Sequence, residues 1–328
     1  EAVKAILDNK LVAIPTETVY GLGANAYLAE SARKVYAAKG RPSDNPLIVH
    51  VNDSADASLF AETNETYKKL AKQFMPGPLT VILPKKDVIP DEVTGGLRTV
   101  AVRCPSNPIA RELIRRSGVP IAAPSANLSG KPSPTCAEHV MQDMDGRIAM
   151  VIDGGECEIG LESTVIAVSG NSANVLRPGA VTPDMLRSAG IAVTVDEAVT
   201  DPAKAGSAPQ SPGMKYKHYA PKAKAVIFSG APEHVVSAIC RRYDEQTAKG
   251  ERVAILGLDE HRYGDRTFIS LGSEKRPQEA AARLFAALRE LDERGDTVAL
   301  CEAVDTAGIG LAVMNRMGRA AAFDIEQV

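Results

Sequence analysis

The chain has 328 residues, a formal net charge of -3, and 45% hydrophobic and 24% charged residues. This is a globular composition that excludes disorder and fibrous repeats, and a length well above the ~100–200 residues of one domain favours two. Neither half carries a block of like charge, so a bulk electrostatic grip on nucleic acid is not expected.

No apolar run reaches the ~18 residues a membrane span needs, and residues 1–10 read as an amphipathic helix and not as a signal peptide. The expectation is a cytoplasmic protein with no membrane partner. Cys104, Cys136, Cys157, Cys240 and Cys301 are scattered, with no C-x-x-C pair, which excludes a disulfide framework and a zinc knuckle. The five histidines show no paired metal-ligand spacing, so any metal is expected to arrive with a substrate.

Along the first two-thirds, apolar strands are expected at 11–14, 46–51, 79–83, 100–103, 121–123, 150–153, 164–167 and 173–176. Helical patterns intervene at 31–38, 66–75, 108–117 and 183–189. The strands around Ser169-Gly170-Asn171 are joined too tightly for a crossover and must pair antiparallel, which predicts a mixed sheet. Between 200 and 223 the pattern gives way to a Pro-, Gly-, Ser- and Ala-rich stretch, where the domain boundary is placed. A βαβ-type series follows, with strands at 225–228, 253–256, 267–270 and 298–300 and helices at 232–248, 277–294 and 309–322. The predicted division is 1–200, a linker at 201–222, and a small Rossmann-like domain at 223–328.

Gly21-Leu-Gly23-Ala-Asn-Ala26 fits the letters of a dinucleotide fingerprint, but Thr16-Glu-Thr-Val-Tyr20 separates it from the preceding strand. It reads instead as a tight glycine turn. Gly155 and Gly160 have P-loop spacing, but Leu161-Glu162 stands where Lys and Ser/Thr are required. The informative pattern is a recurrence of polar residues beside apolar strands, where side chains converge at one edge of a sheet.

In Lys39-Gly-Arg41-Pro-Ser-Asp-Asn45, Gly40 can cap a helix and leave Lys39 and Arg41 projecting from a loop, suited to clamping phosphates. Arg103 alternates with Ala101, so a small neighbour leaves room for a carboxylate ligand. A run of small residues around Ser125, the pair Glu162-Ser163 and the strand-final Arg177 complete a set suited to an anionic, nucleotide-sized ligand.

The runs Pro-Thr-Glu-Thr-Val-Tyr-Gly-Leu-Gly, Lys-Gly-Arg-Pro-x-x-x-Pro-Leu, Pro-Ser-Ala-Asn-x-Ser-Gly, Glu-Ser-Thr-Val and Leu-Arg-Pro-Gly resemble the YrdC-like domain of L-threonylcarbamoyladenylate synthases, over most of residues 1–190 and in the right order. The trailing half resembles the long, two-domain branch of that family. The resemblance implies a YrdC-like twisted mixed α/β sheet followed by the Rossmann-like domain. It also implies a nucleotidyltransferase making threonylcarbamoyl-AMP and pyrophosphate from L-threonine, bicarbonate and ATP, with Mg2+ carried by the ATP. The product would pass to the machinery that modifies adenosine in tRNA.

Carried over, the threonine contacts fall on Thr18, His50, Arg103, Ala123 and Ser163. The ATP contacts fall on Arg41, Asn45, Thr99, Ser125, Ser133, Arg177 and Tyr219, and the catalytic signature on Lys39, Arg41, Ser125 and Asn127. Residues 211–221, with Tyr219, are expected to close over the nucleotide as a lid. The competing readings are an RNA-binding module using the same cations, with weak RNA binding, and a carbamoyl-transfer enzyme. Near-neutral charge argues against the first. The absence of acylphosphatase-like and zinc segments from the chain argues against the second.

Overall fold

The computed structural model describes residues 1–201, Lys204 and residues 218–328. The chain falls into two compact units: Glu1–Ser129 with Ser133–Tyr216, and Gly130–Pro132 with Lys217–Val328. Of the stretch 201–222, residues 202–203 and 205–217 lie outside the described residues, and most of the expected lid falls there.

The first unit runs α1 (Ala2–Leu7), β1 (Val12–Ile14), β2 (Gly21–Asn25), α2 (Ala29–Lys39), β3 (Ile48–His50), α3 (Glu65–Phe74), β4 (Leu79–Pro84), α4 (Asp91–Thr94) and β5 (Thr99–Arg103). It continues through α5 (Pro108–Ser117), β6 (Ile121–Ala122), α6 (Ala137–Met144), β7 (Met150–Val151), β8 (Thr164–Ser169), β9 (Ser172–Arg177), α7 (Pro183–Ser188) and β10 (Ala192–Val195). Local chemistry sets the helix ends. The Asn107 side chain accepts from the N–H groups of Ile109 and Ala110, Pro108 opens α5, and Gly118 ends it at φ 65°.

The strands form one sheet in the order β10-β9-β8-β4-β5-β3-β6-β2-β1-β7. It is mixed, as the tight connections require: β8 and β9 pair antiparallel across Gly170, while β3/β5 and β4/β8 are parallel. The 21–25 segment corrects the expected glycine turn, because it is strand β2, antiparallel to β1 and β6. Its glycines serve close packing: a Cβ on Gly23 would stand 3.1 Å from both the Val12 carbonyl oxygen and Ile121 Cγ2. Helix α6 and edge strand β10 are elements the apolar periodicity does not reveal, and no β10 side chain is fully buried.

Register places the polar residues. Ile121 pairs with His50, His50 with Arg103, Arg103 with Thr80, Thr80 with Val165, and Val165 with Arg177. Residues paired in register share a face, so His50, Arg103, Thr80 and Arg177 lie in one row across β3, β5, β4, β8 and β9, with Val165 as the β8 member.

The second unit runs β11 (Lys224–Ser229), α8 (Pro232–Ala248), β12 (Val253–Gly257), β13 (Phe268–Ser270), α9 (Pro277–Arg294), β14 (Val298–Glu302), α10 (Gly310–Ala320) and β15 (Ile325–Gln327). Its strands lie in the order β13-β12-β14-β11-β15, every pair parallel. Strand β12 is buried along its whole length, the near-continuous apolar run expected of a parallel sheet covered on both faces.

Gly179, just beyond β9, gives a direct test of packing. A Cβ there would stand 2.5 Å from the Thr164 backbone nitrogen and 2.9 Å from the Glu162 carbonyl oxygen, so neither neighbour can yield cheaply. Gly179→Ala is expected to cost about 1–3 kcal/mol, read as a lower urea midpoint with an unchanged slope.

Candidate active site

Arg103 ends β5 and is buried, and every nitrogen of its guanidinium faces a polar neighbour. Nε donates to the Gly77 carbonyl at 3.4 Å, Nη1 donates to Thr18 Oγ1 at 2.8 Å, and Nη2 lies 2.7 Å from Glu17 Oε1. Thr18 is fixed in turn by its 2.8 Å hydroxyl pair with Thr16, whose hydroxyl also donates to the Val19 carbonyl. These contacts pin the segment between β1 and β2 beside Arg103.

His50 sits beside Arg103 with Nδ1 3.1 Å from the Ile48 carbonyl oxygen. Burial, reinforced by the Arg103 charge, lowers its pKa to about 3, so the imidazole is neutral at physiological pH. Burial pushes the Glu17 carboxyl up, but Arg103 outweighs it and holds the group below its usual value, ionised. Ala123, just past β6, donates its N–H at 2.9 Å to the Ile48 carbonyl, the same oxygen that His50 Nδ1 approaches.

A second guanidinium closes the row. Arg177 Nε donates to the Ser163 carbonyl at 3.0 Å and Nη2 to Ser163 Oγ at 3.1 Å, and Ser163 Oγ pairs with Thr80 Oγ1 at 2.7 Å. Ser133 Oγ donates to Glu162 Oε1 at 2.5 Å, which draws the 133 segment onto the start of β8. Thr99 opens β5 on the same face as Ala101 and Arg103. Four residue steps along the strand set Thr99 about 13 Å from Arg103, the span of a nucleotide-sized ligand.

The 39–45 loop departs from the expected geometry. Gly40 does cap α2, at φ 61°. Lys39 and Arg41 do not project, however, because both are buried. Lys39 Nζ donates to the Ser125 carbonyl and, at 2.6 Å, to the Asn127 carbonyl. Arg41 donates to the carbonyls of Asn45 and Pro46 at 3.3 and 3.2 Å. Cations beside buried backbone carbonyls are drawn inward, since each such carbonyl left without a donor would cost about 1–3 kcal/mol. Lys39, Ser125 and Asn127 are thus brought together, as are Arg41 and Asn45. Asn45 Oδ1 is buried without a hydrogen-bond partner, an acceptor left open beside Arg41.

Tyr219 belongs to the second unit, where its ring lies 5.1 Å from that of Phe285. Among the described residues, no group of three or more His, Cys, Asp or Glu is placed to hold a metal ion. The motifs do not single out Glu17 or Thr80. Glu17 had a signal, being the single acid in a segment otherwise destined for the interior. Thr80 had none, because a threonine in an apolar strand reads as ordinary sheet.

A twisted mixed-sheet unit with a polar row at its centre, followed by a parallel-sheet unit, defines a two-part architecture that known proteins share. A family model described as telomere recombination, covering the Sua5, YciO and YrdC proteins, matches residues 4–179. A second model, the threonylcarbamoyl-AMP synthase C-terminal domain, matches residues 181–322. The chain belongs to the Sua5–YciO–YrdC family, in its two-domain form. It is 46% identical over 325 residues to the threonylcarbamoyl-AMP synthase of Bacillus subtilis (strain 168), covering 98% of this chain and 92% of that one. It is 44% identical to the protein of that name from Pyrococcus abyssi, covering 98% and 94%. The crystal structure of P. abyssi Sua5 complexed with L-threonine superposes with a TM-score of 0.94, over 100% of this chain and 95% of that one.

The pKa of His50 carries a test. A group held neutral in the folded state but protonated when unfolded makes the unfolded state bind more protons below the ordinary histidine value. Stability is therefore expected to fall as pH drops from about 6.5 toward 3, with His50 contributing about 1.4 kcal/mol per pH unit. Denaturant midpoints of His50→Asn against the parent should show a shallower fall by about one proton, and the His50 ring resonances should not titrate between pH 8 and pH 5.

Proposed function

We propose that this chain condenses L-threonine, bicarbonate and ATP into threonylcarbamoyl-AMP and pyrophosphate, as a nucleotidyltransferase. The observation that carries the reading is the single face of β5, with Arg103 at one end, Thr99 at the other and Ala101 between them. A guanidinium suited to a carboxylate is thereby set one nucleotide length from a hydroxyl suited to ATP. The names borne by the full-length relatives, and the threonine held by the Pyrococcus protein, support the same assignment.

In this reading Arg103, Thr18, His50, Ala123 and Ser163 hold threonine. Arg41, Asn45, Thr99, Ser125, Ser133 and Arg177 hold ATP. Lys39 and Asn127 act through the Ser125 loop, which the lysine fixes by its carbonyls. The α-amine of threonine takes up bicarbonate with loss of water, giving a carbamate. A carbamate oxygen then attacks the α-phosphorus and pyrophosphate leaves. The incoming nucleophile is already anionic, so the reaction needs alignment and charge stabilisation more than a strong base, and buried guanidiniums supply both. Magnesium enters as the counter-ion of the triphosphate, part of the nucleotide substrate. The acyl adenylate would pass to an enzyme acting on tRNA in the cytoplasm. Among the described residues, no helix is long and apolar enough to cross a membrane.

Purified protein with ATP, magnesium, bicarbonate and each amino acid in turn is expected to release pyrophosphate only when threonine and bicarbonate are both present, with the adenylate detected by mass. ADP and phosphate as the main products would overturn the proposal. Arg41→Ala is expected to weaken ATP by about 1.5–3 kcal/mol with little change for threonine. Arg103→Ala should do the reverse, and Arg103→Lys should not restore it, since a point charge cannot replace a bidentate fork. Calorimetry with each ligand separates the two.

A further inference from the structure

Glu17 is buried, with 6% of its surface exposed, and although Arg103 and the backbone N–H groups of Glu17 and Ser106 draw on its carboxylate, neither oxygen has a well-aligned donor. Oε1 lies 2.7 Å from Arg103 Nη2, which also lacks a geometrically sound hydrogen bond. The two charges therefore touch without satisfying each other's directional capacity. A buried carboxylate has about four acceptor sites, and those its neighbours do not fill are costly unless a ligand takes them. The backbone that carries Glu17 is fixed on both sides: Thr16 Oγ1 accepts from the N–H groups of Thr18 and Val19, and the Glu17 carbonyl accepts from Ile159 N–H at 2.8 Å. The side chain is thus aimed by the fold.

The charges around this point are simple. Arg103 supplies one positive group and Glu17 one negative group, and the neighbouring His50 is neutral. Adjacent buried charges of opposite sign match the head group of an α-amino acid, in which ammonium and carboxylate are separated by a single carbon. We propose that Glu17 receives the α-ammonium of the amino-acid substrate, so that Glu17 and Arg103 together read its zwitterionic head. This assignment rests on the threonine reading above and concerns recognition before any bond is made. It also makes the site selective for free amino acids over hydroxy acids, because a hydroxyl offers Glu17 one donor and no charge.

The test compares two ligands on two proteins by calorimetry: L-threonine, and 3-hydroxybutanoate, which keeps the carboxylate and hydroxyl but lacks the amine. Thermal unfolding and ATP binding report that each variant is folded. In the parent, threonine should bind far more tightly than 3-hydroxybutanoate. Glu17→Gln is expected to weaken threonine by about 10- to 100-fold while leaving 3-hydroxybutanoate unchanged or tighter, so that the discrimination collapses. Glu17→Asp, which keeps the charge but shortens the reach, should fall between. If both ligands weaken by the same factor, Glu17 merely supports Arg103 and the proposal is wrong. Unchanged threonine affinity in E17Q overturns it equally. Failure of the parent protein to bind threonine at all would instead overturn the functional reading, and this inference with it.

Discussion

The burial of Arg103 is the constraint around which the first unit is arranged. A guanidinium at the end of a central strand cannot shed its proton, and removing it from water costs several kcal/mol unless charge and acceptors meet it there. The fold meets it with Glu17, Thr18 and the Gly77 carbonyl, which come from two separate connections and not from the strands themselves. The segment after β1 must therefore fold back over the sheet. That in turn obliges residues 21–25 to run as a strand alongside β1, with glycines where the strands approach most closely.

The row of polar residues shows how a sheet can build a site without any loop doing so alone. His50, Arg103, Thr80 and Arg177 owe their common face to strand register, and a slip of one residue in any of the four strands would turn its member away. Hydroxyls complete the connection, with Thr80 and Ser163 joining the Arg177 side of the row to its centre.

Much of this was legible in the chain, for physical reasons that differ from element to element. Helix α5 announces itself through Asn107, Pro108 and Gly118, and the β8–β9 hairpin through a connection too short to cross over, because local chemistry decides both. The motifs bring out residues that the fold gathers, because polar groups bound for one edge of a sheet cluster in short runs beside apolar strands. The orientation of Lys39 and Arg41 was not legible: whether a loop cation faces solvent or turns inward depends on carbonyls at 125 and 127, supplied from far along the chain. Strand β2 is not legible for a related reason, since glycine signals a turn locally and tight packing only when its neighbours are known. Edge strand β10 buries too little to leave a pattern.

The lysine that ends α2 makes this part of the fold open to direct observation. With only 2% of its surface exposed and its amine held by backbone carbonyls, Lys39 is shielded from any amine-directed reagent while the 125–127 loop stays closed. Its rate of acylation by such a reagent would thus measure how often the loop opens. A single side chain becomes a clock for local breathing at the site, read by mass spectrometry without altering the sequence.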